Sequence, residues 1–572
     1  MGARKASPRG PVLLLGAGTG EATCGILYLA SYLRRHGVEA VVRLTDHDET
    51  EAELRRSLAA LLTHVRPRMV GVSLKWFHHV ARGLRLARVL KALDPEVQVV
   101  FGGNSASAWW KELLAQGPVD HVVLGDGEVP LLALARGDAA PPNVVSRGRH
   151  GALRPALQYQ QGAKTDDVYY SHFDELFLSR EDAYSFSGWV APGKGCGENC
   201  LYCAGTRGMQ KATFGRAKPF LRPVEAVQRD HREIVPGTWQ LRYDFAGSSA
   251  EFLSLAWEGL DLSRHSVTYF LWGVPPPELV DLLAARLGRV FMIIDIGCFS
   301  EAQRQETMRR GLLKPCPTDQ ELLRVIELAR RHPNLELEIS GIAGLPFANR
   351  LSLAQERRLV EQLVSMDCTI GYQRLEAQPG ALVTEHPGRF GMVSEAQTFE
   401  EFVEFFEAQA PGDKSVPMVR YADEGFEAEL EETAAHIDEL VWAHAERKQH
   451  VAVPKGARLV NAAASTEQLT VGEWLGAWSV PARVAKAPVT VVRANNGHGL
   501  ALAPTLATKT FSHGSLTQGA DAVALGLALE TFARPTTVER GVAALRSAAM
   551  LPAAEARGLV DALTQGRFLV PA

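Results

Sequence analysis

Two stretches of the sequence alternate short apolar runs with amphipathic helical segments, with glycines at the ends of the apolar runs. This rhythm restricts the fold more than any other feature, because strands separated by helices pair in parallel and need cover on both faces. In the first stretch, Val12 to Leu15, Ala40 to Leu44, Val70 to Ser73, Val97 to Phe101 and Val122 to Leu124 read as strands, with Ile26 to Arg35 an amphipathic helix ending at Gly37. The pattern predicts a doubly wound sheet whose ligands bind beyond the carboxyl ends of its strands.

The second alternation has strands near Ser187–Val190, Gln240–Phe245, Val267–Trp272, Val290–Ile296, Leu335–Ile342 and Cys368–Leu375, with helices such as Pro277–Leu287 and Asp319–Arg331 between them. Six βα units predict a partial (β/α)6 barrel, open on one side, where a closed one needs eight. The expected division is a Rossmann-like domain over 1–145, a polar linker over 146–185, the barrel over 186–425, a charged helical connector over 426–455 and a tail over 456–572. The tail has short strands (Val489–Val492, Gly499–Ala503) and then helices over Ala520–Phe532, Thr537–Ala548 and Ala553–Gln565. It reads as a small α+β winged-helix-like module, and the whole chain as α/β.

Of the seven cysteines, three stand in one glycine-rich loop after the first barrel strand. Gly193-Lys194-Gly195-Cys196-Gly197-Glu198-Asn199-Cys200-Leu201-Tyr202-Cys203 places Cys196, Cys200 and Cys203 in CxxxCxxC spacing. Cubane iron–sulfur clusters normally take four thiolates. A loop that supplies three, with no fourth cysteine or histidine close in sequence, leaves one iron open to chelate an amino and a carboxylate group. A zinc site would show a closing partner pair. Cys24, Cys298, Cys316 and Cys368 are scattered and read as core thiols of a reducing compartment.

The loop, with Tyr202 before its last cysteine, resembles the signature of radical S-adenosylmethionine (SAM) enzymes. The resemblance implies a [4Fe–4S] cluster whose electron breaks the sulfonium bond of bound SAM and yields a 5′-deoxyadenosyl radical. It extends to Asp244-Phe245-Ala246-Gly247-Ser248-Ser249, where Gly247 and Ser248 would meet the SAM amino group, although the segment departs from the family's Gly-Gly-Glu. It implies further that Asp295 meets the SAM ribose, that Arg309 reaches its carboxylate, and that Gly341 and Gly344 lie against its adenine.

The first domain resembles the cobalamin-binding domain that precedes many radical SAM methylases. The pieces that carry this are Gly25 to Ala30, Val70-Gly71-Val72-Ser73, Val99 to Asn104 and Val122 to Glu128. The implied corrin contacts are Ser73, Lys75, Trp76, Gly102, Gly103, Asn104, Gly125, Gly127 and Glu128. Cobalamin proteins that give cobalt a histidine carry Asp-x-His-x-x-Gly after the first strand; here that place reads Gly16-Ala17-Gly18-Thr19-Gly20-Glu21. The resemblance therefore implies a lower cobalt face without histidine, with Lys75 or Trp76 toward it. His47, His78 and His79 read as solvent or packing residues.

A net charge of −4 argues against a broad nucleic-acid surface. Apolar runs such as Pro11 to Gly16 are far short of the ~20 residues of a membrane span, and no secretory leader is read, so a cytoplasmic protein is expected. Together these features imply a cobalamin-dependent radical SAM methyltransferase. One SAM would methylate cob(I)alamin, a second would supply the radical, and an activated substrate carbon would take the methyl group. The tail resembles the peptide-recognition domains of enzymes that modify ribosomally made peptides, which implies a peptide or amino-acid-derived substrate; a cap on the open barrel is the other reading. An external electron donor of flavodoxin or ferredoxin type is implied. Rearrangement or cyclisation without methyl transfer, a first domain that binds no corrin, and an iron–sulfur or zinc protein without catalysis stay open as alternatives.

Overall fold

A computed structural model describes residues 10–16, 23–44, 50–147, 153–154, 167–185, 188–215, 218–238, 240–244, 249–408, 417–449, 458–461, 463–478, 480, 482–494, 499–503, 509–512, 515–518, 522–565 and 568–571. Strands β1 (Val12–Gly16), β2 (Ala40–Leu44), β3 (Met69–Ser73), β4 (Gln98–Gly102) and β5 (His121–Val123) pair in parallel. Strands β6 (Val144–Arg147) and β7 (Leu153–Arg154) continue the sheet antiparallel, in the order β2-β1-β3-β4-β5-β6-β7.

The two-residue period of a strand splits the side chains between two cores. Leu13, Leu15, Val70, Val72, Val99 and Phe101 meet the helices Glu51–Val65 and His79–Leu93 on one face. Val12, Leu14, Val42 and Val100 meet Thr23–Arg35 and Glu128–Arg136 on the other. A sheet buried on both faces is why these strands read as unbroken apolar runs.

In the barrel, β8 (Gly188–Val190) is followed by β9 (Gly193–Lys194), which pairs antiparallel with β10 (Phe220–Leu221) across the cysteine loop. Then come β11 (Gln240–Tyr243), β12 (Ser266–Trp272), β13 (Arg289–Asp295), β14 (Leu335–Ala343) and β15 (Thr369–Arg374). The six strands β8, β11, β12, β13, β14 and β15 are parallel and adjacent in chain order, with β8 and β15 at the edges. All six expected strands are present, and the barrel is open as expected.

Residues 168–177, inside the stretch expected as a polar linker, are instead part of the core. Val168, Tyr170, Phe173, Leu176 and Phe177 are buried in one apolar cluster that runs from the first sheet into the barrel. Their uneven spacing follows neither a helix nor a strand period, so no periodic signal marks them. Tyr170 stacks on Tyr28 of the first domain with ring centroids 4.1 Å apart.

Beyond the barrel, β16 (Met392–Ser394) and β17 (Val419–Tyr421) pair, and the helix Phe399–Ala408 returns to the first domain. There Phe402 and Phe406 pack with Phe77, and Phe399 with Trp109. The helix Glu424–Gln449 buries Leu430, Ala434 and Ile437.

The tail differs from the single module expected. Strands β18 (Arg458–Asn461), β24 (Thr536–Thr537) and β25 (Leu569–Pro571) form a three-stranded sheet with the helices Ala522–Thr531, Val538–Ala548 and Ala553–Gln565. Between β18 and these helices lies a separate five-stranded meander: β19 (Ala463–Thr470), β20 (Pro488–Ala494), β21 (Gly499–Ala503), β22 (Lys509–Ser512) and β23 (Ser515–Gln518). The two strands read from sequence, β20 and β21, belong to the meander. Its other strands are largely polar, and an edge strand without an apolar face leaves little pattern to read.

Candidate active site

The carboxyl ends of the first sheet face the amino-terminal part of the barrel across a cavity of about 440 Å³. From the first domain, Ser73, Lys75, Gly102, Gly103, Asn104, Gly125, Gly127 and Glu128, which the resemblance names as corrin contacts, line it. Trp76 does not; it lines a neighbouring cleft with Phe77, Trp109, Phe214 and Gln378, and Lys75 and Phe214 border both spaces. The barrel closes the cavity with Trp189, Val190, Gly193, Lys194, Gln210 and Asp244, of which Gly193, Lys194 and Asp244 belong to segments named from sequence for the cluster and SAM. No local pattern gives Trp189, Val190 or Gln210 a place at this cavity, because the wall forms only when the two domains dock.

Backbone geometry makes this wall close-fitting. Gly103 has φ +105°, and a Cβ there would stand 2.7 Å from the Leu74 carbonyl oxygen. A Cβ at Gly71 would stand 2.7 Å from Leu14 Cδ2, so the bare backbone faces the cavity where a side chain has no room. Lys75 Nζ lies 5.1 Å from the centroid of the Trp76 ring and 4.8 Å from that of Trp189, a cation between two indoles. Glu128 is buried, with Oε1 accepting from Lys194 Nζ at 2.7 Å, while Oε2 has no hydrogen-bond partner. A polar atom left this way at a cavity wall fits a ligand rich in amide donors, which a corrin is.

The cysteine loop begins two residues after Lys194. The Glu198 N–H donates to Cys196 Sγ at 3.4 Å and the Gly205 N–H to Cys203 Sγ at 3.1 Å. Such N–H···S bonds stabilise thiolates and tune iron–sulfur clusters. Burial pushes the Cys203 thiol up to about 11 and raises Cys200 as well, with Lys314 opposing the shift at Cys200. Buried thiolates without compensating charge are costly, and a bound metal cluster supplies that charge. Among the described residues, no three His, Cys, Asp or Glu side chains converge on a point that a single metal ion would fill. Three thiolates from one loop are the donors that a [4Fe–4S] cluster with one open iron would take.

Asp295, at the end of β13, pairs with Lys314 and accepts the Gly297 N–H at 2.8 Å. Lys314 also donates to the Tyr202 hydroxyl at 3.2 Å. Burial works against the Lys314 ammonium, but Asp295 overrides it and lifts the pKa above the ordinary lysine value. Lys314 is the cation set beside the cluster cysteines. Arg309, which the resemblance has reach the SAM carboxylate, is exposed and paired with Glu306 one turn away. The buried arginine of that helix is Arg304, which donates to the carbonyls of Cys298 and Pro317 and pairs with Asp319, so it anchors the loop that carries Lys314. Cys316 is buried with Cys200 and Leu313 in the same small cluster.

Gly341 is buried, and a Cβ on it would meet the Phe299 ring at 2.6 Å, so packing requires glycine there. Gly344 has φ +79° just past β14. Gly247 and Ser248, the segment 17–22 and His47 lie outside the described residues. His79 is a packing residue, buried in its helix, and His78 faces Glu376 at 3.8 Å.

Residues 11–135 match the B12 binding domain family. Over 77% of this chain and 92% of its own, the structure of the radical S-adenosylmethionine methyltransferase TsrM from Kitasatospora setae, with cobalamin and a [4Fe–4S] cluster bound, superposes with a TM-score of 0.54 at 16% identity. The same enzyme with tryptophan substrate and the SAM analogue aza-SAM bound superposes with a TM-score of 0.53 at 16% identity, over 74% of this chain and 88% of its own. No curated protein sequence matches the chain. Among the described residues, no helix is long and apolar enough to cross a membrane.

Proposed function

We propose that this chain, a B12-binding domain docked on an open six-stranded barrel, is a cobalamin-dependent radical SAM methyltransferase that methylates an unactivated carbon of a peptide or amino-acid-derived substrate. The observation that carries this reading is the shared cavity: the corrin-domain glycines and the residues leading into the cysteine loop line one space. Two cofactors held there would both reach a substrate carbon. When bound, the cluster with SAM supplies the radical and cobalamin carries the methyl group.

The chain's own residues supply binding, orientation and charge. Cys196, Cys200 and Cys203 hold the cluster, and the N–H groups of Glu198 and Gly205 stabilise their thiolates. Lys314, kept cationic by Asp295, stabilises negative charge gained on that side of the barrel. Ser73, Gly102, Gly103, Asn104, Gly125, Gly127 and Glu128 seat the corrin, and Lys75 is fixed between two indoles at the border of the neighbouring cleft. The substrate would share the larger cavity with the cofactors, at the border where Lys75, Asn104 and Phe214 lead to the aromatic cleft of Trp76, Phe77 and Trp109. Gly341, Gly344, Gly247 and Ser248 keep the SAM-binding roles that the family resemblance gives them. The three helices and three strands of the tail are read as winged-helix-like and as the hold for a peptide. An external flavodoxin- or ferredoxin-type protein supplies electrons.

Anaerobic reconstitution with iron, sulfide and cobalamin, followed by methyl-labelled SAM and a reductant, tests the reading. The expected results are the visible bands of bound cobalamin, formation of 5′-deoxyadenosine, and label retained in the product of candidate peptide substrates. Label missing from an otherwise altered product would replace methylation with rearrangement or cyclisation. Absence of cobalamin bands would remove the corrin from the scheme.

A further inference from the structure

We propose that Lys194 is the positioning residue that fixes the cysteine loop against the corrin domain, so that filling either cofactor site tightens the other; this rests on the reading of the two sites given above. Lys194 belongs to β9, within the wall of the cavity, and its Nζ lies 2.7 Å from Glu128 Oε1 and 3.6 Å from Asp126 Oδ1. The two carboxylates stand where the B12-binding domain turns from β5 into its helix Glu128–Arg136, and Lys194 stands two residues before Cys196. Two residues of chain reach at most about 7 Å. The clasp is therefore a short tether between the corrin turn and the first cluster ligand.

Three further features stiffen it. Lys194 is paired through its backbone with Phe220, so β9 cannot slide along the loop. Gly195, between the clasp and Cys196, has φ +91°, which fixes the direction in which the chain enters the cysteine loop. Glu128 is in the first turn of its helix, where the dipole favours its charge, and its second oxygen is buried without a partner. Removing the ammonium would leave that carboxylate uncompensated in the cavity wall.

A corrin in the cavity excludes water from the clasp and strengthens it. A stronger clasp holds Lys194, and with it Cys196, in the place that the cluster needs. Linkage makes the effect reciprocal, since whatever cobalamin does for cluster binding the cluster must do for cobalamin.

The test is titration of the full-length protein with hydroxocobalamin under anaerobic conditions, before and after reconstitution of the cluster, read by the cobalamin absorption bands. In the unsubstituted protein, cluster loading should tighten cobalamin by about fivefold or more, the lower end of ordinary coupling between sites. In Lys194→Met the ratio should fall to about one, and in Lys194→Arg most of it should return. Glu128→Gln should behave as Lys194→Met does, which covers the case of a lysine variant that fails to fold. Equal cobalamin affinity with and without cluster in the unsubstituted protein, or a ratio unchanged in Lys194→Met, would overturn the inference alone. Failure of hydroxocobalamin to bind either form would overturn both the inference and the function proposed above.

Discussion

Tyr28, on the first helix of the corrin domain, donates a hydrogen bond to Asp230 of the barrel at 2.6 Å. Arg222 completes the contact, pairing with the same Asp230 oxygen at 2.7 Å, and both partners of that pair are buried. The Ala191 N–H donates to the Tyr28 hydroxyl at 3.2 Å, so the network abuts the cavity wall. A buried guanidinium stripped of its carboxylate, as Arg222 would be without Asp230, costs more than the pair contributes. Asp230→Ala is expected to lower stability by about 3–5 kcal/mol, and Tyr28→Phe by about 1–3 kcal/mol. Urea denaturation of the full chain measures both; an Asp230→Ala protein as stable as the original would mean the network is slack.

The cluster loop gives a direct expectation. Changing Cys196, Cys200 and Cys203 together to alanine should abolish iron retention after anaerobic reconstitution, while Cys24→Ala and Cys368→Ala should leave it unchanged. Iron and sulfide assays with the cluster's visible absorption decide this. Iron held equally by the triple variant would refute the assignment.

Lys314→Met removes a buried cation beside Cys200 and leaves Asp295 without its partner. A reduced cluster carries one more negative charge, which the ammonium favours. The midpoint potential of the cluster should move to more negative values by tens of millivolts, on the order expected for one partly screened charge. A spectroelectrochemical titration reads the shift, and a move in the positive direction would contradict the role given to Lys314.

Gly103→Ala puts a Cβ on a residue with φ +105°, against the Leu74 carbonyl. Strain of this kind costs on the order of 1–3 kcal/mol. The backbone displacement should also weaken cobalamin binding, visible as a raised dissociation constant in an absorbance titration. Unaltered affinity would show that this turn does not touch the corrin.

His231 is buried against Tyr243 and Trp257, and burial lowers its pKa to about 4. In the unfolded chain it titrates near the ordinary value of about 6.5. Its contribution is thus complete above about pH 6.5 and is lost as pH falls toward 4, up to about 3 kcal/mol. Melting curves between pH 7 and pH 4.5 should fall less steeply for His231→Gln than for the unsubstituted protein. Parallel pH slopes would assign the acid sensitivity to other groups.

What could be read from the sequence follows from how local each signal is. The strands of both sheets are legible because they are short, apolar and separated by helices, as Val12–Gly16 and Arg289–Asp295 illustrate. The cysteine loop and the glycine turns at Gly102-Gly103 and Gly125 to Glu128 are legible because their spacing is fixed within one turn of chain. Lys314 was hidden, since its value depends on a loop anchored by Arg304 that folds back to Cys200. Lys194 looked like one more residue of a motif; its partners lie about 70 residues earlier, and only docking of the two domains pairs them. The segment 168–177 was misread because its apolar residues serve two partners at once and follow no single period.

The helix Phe399–Ala408 has a consequence for traffic through the molecule. With Tyr28 bound to the barrel on one side and Phe77 and Trp109 gripped by that returning helix on another, the corrin domain is pinned at two separate places. Two separate contacts leave no rotation except about the line that joins them, which restricts a hinge opening between the domains. Whatever fills the cavity between the two domains is then expected to enter and leave by the unpaired side of the barrel, with the domains held together.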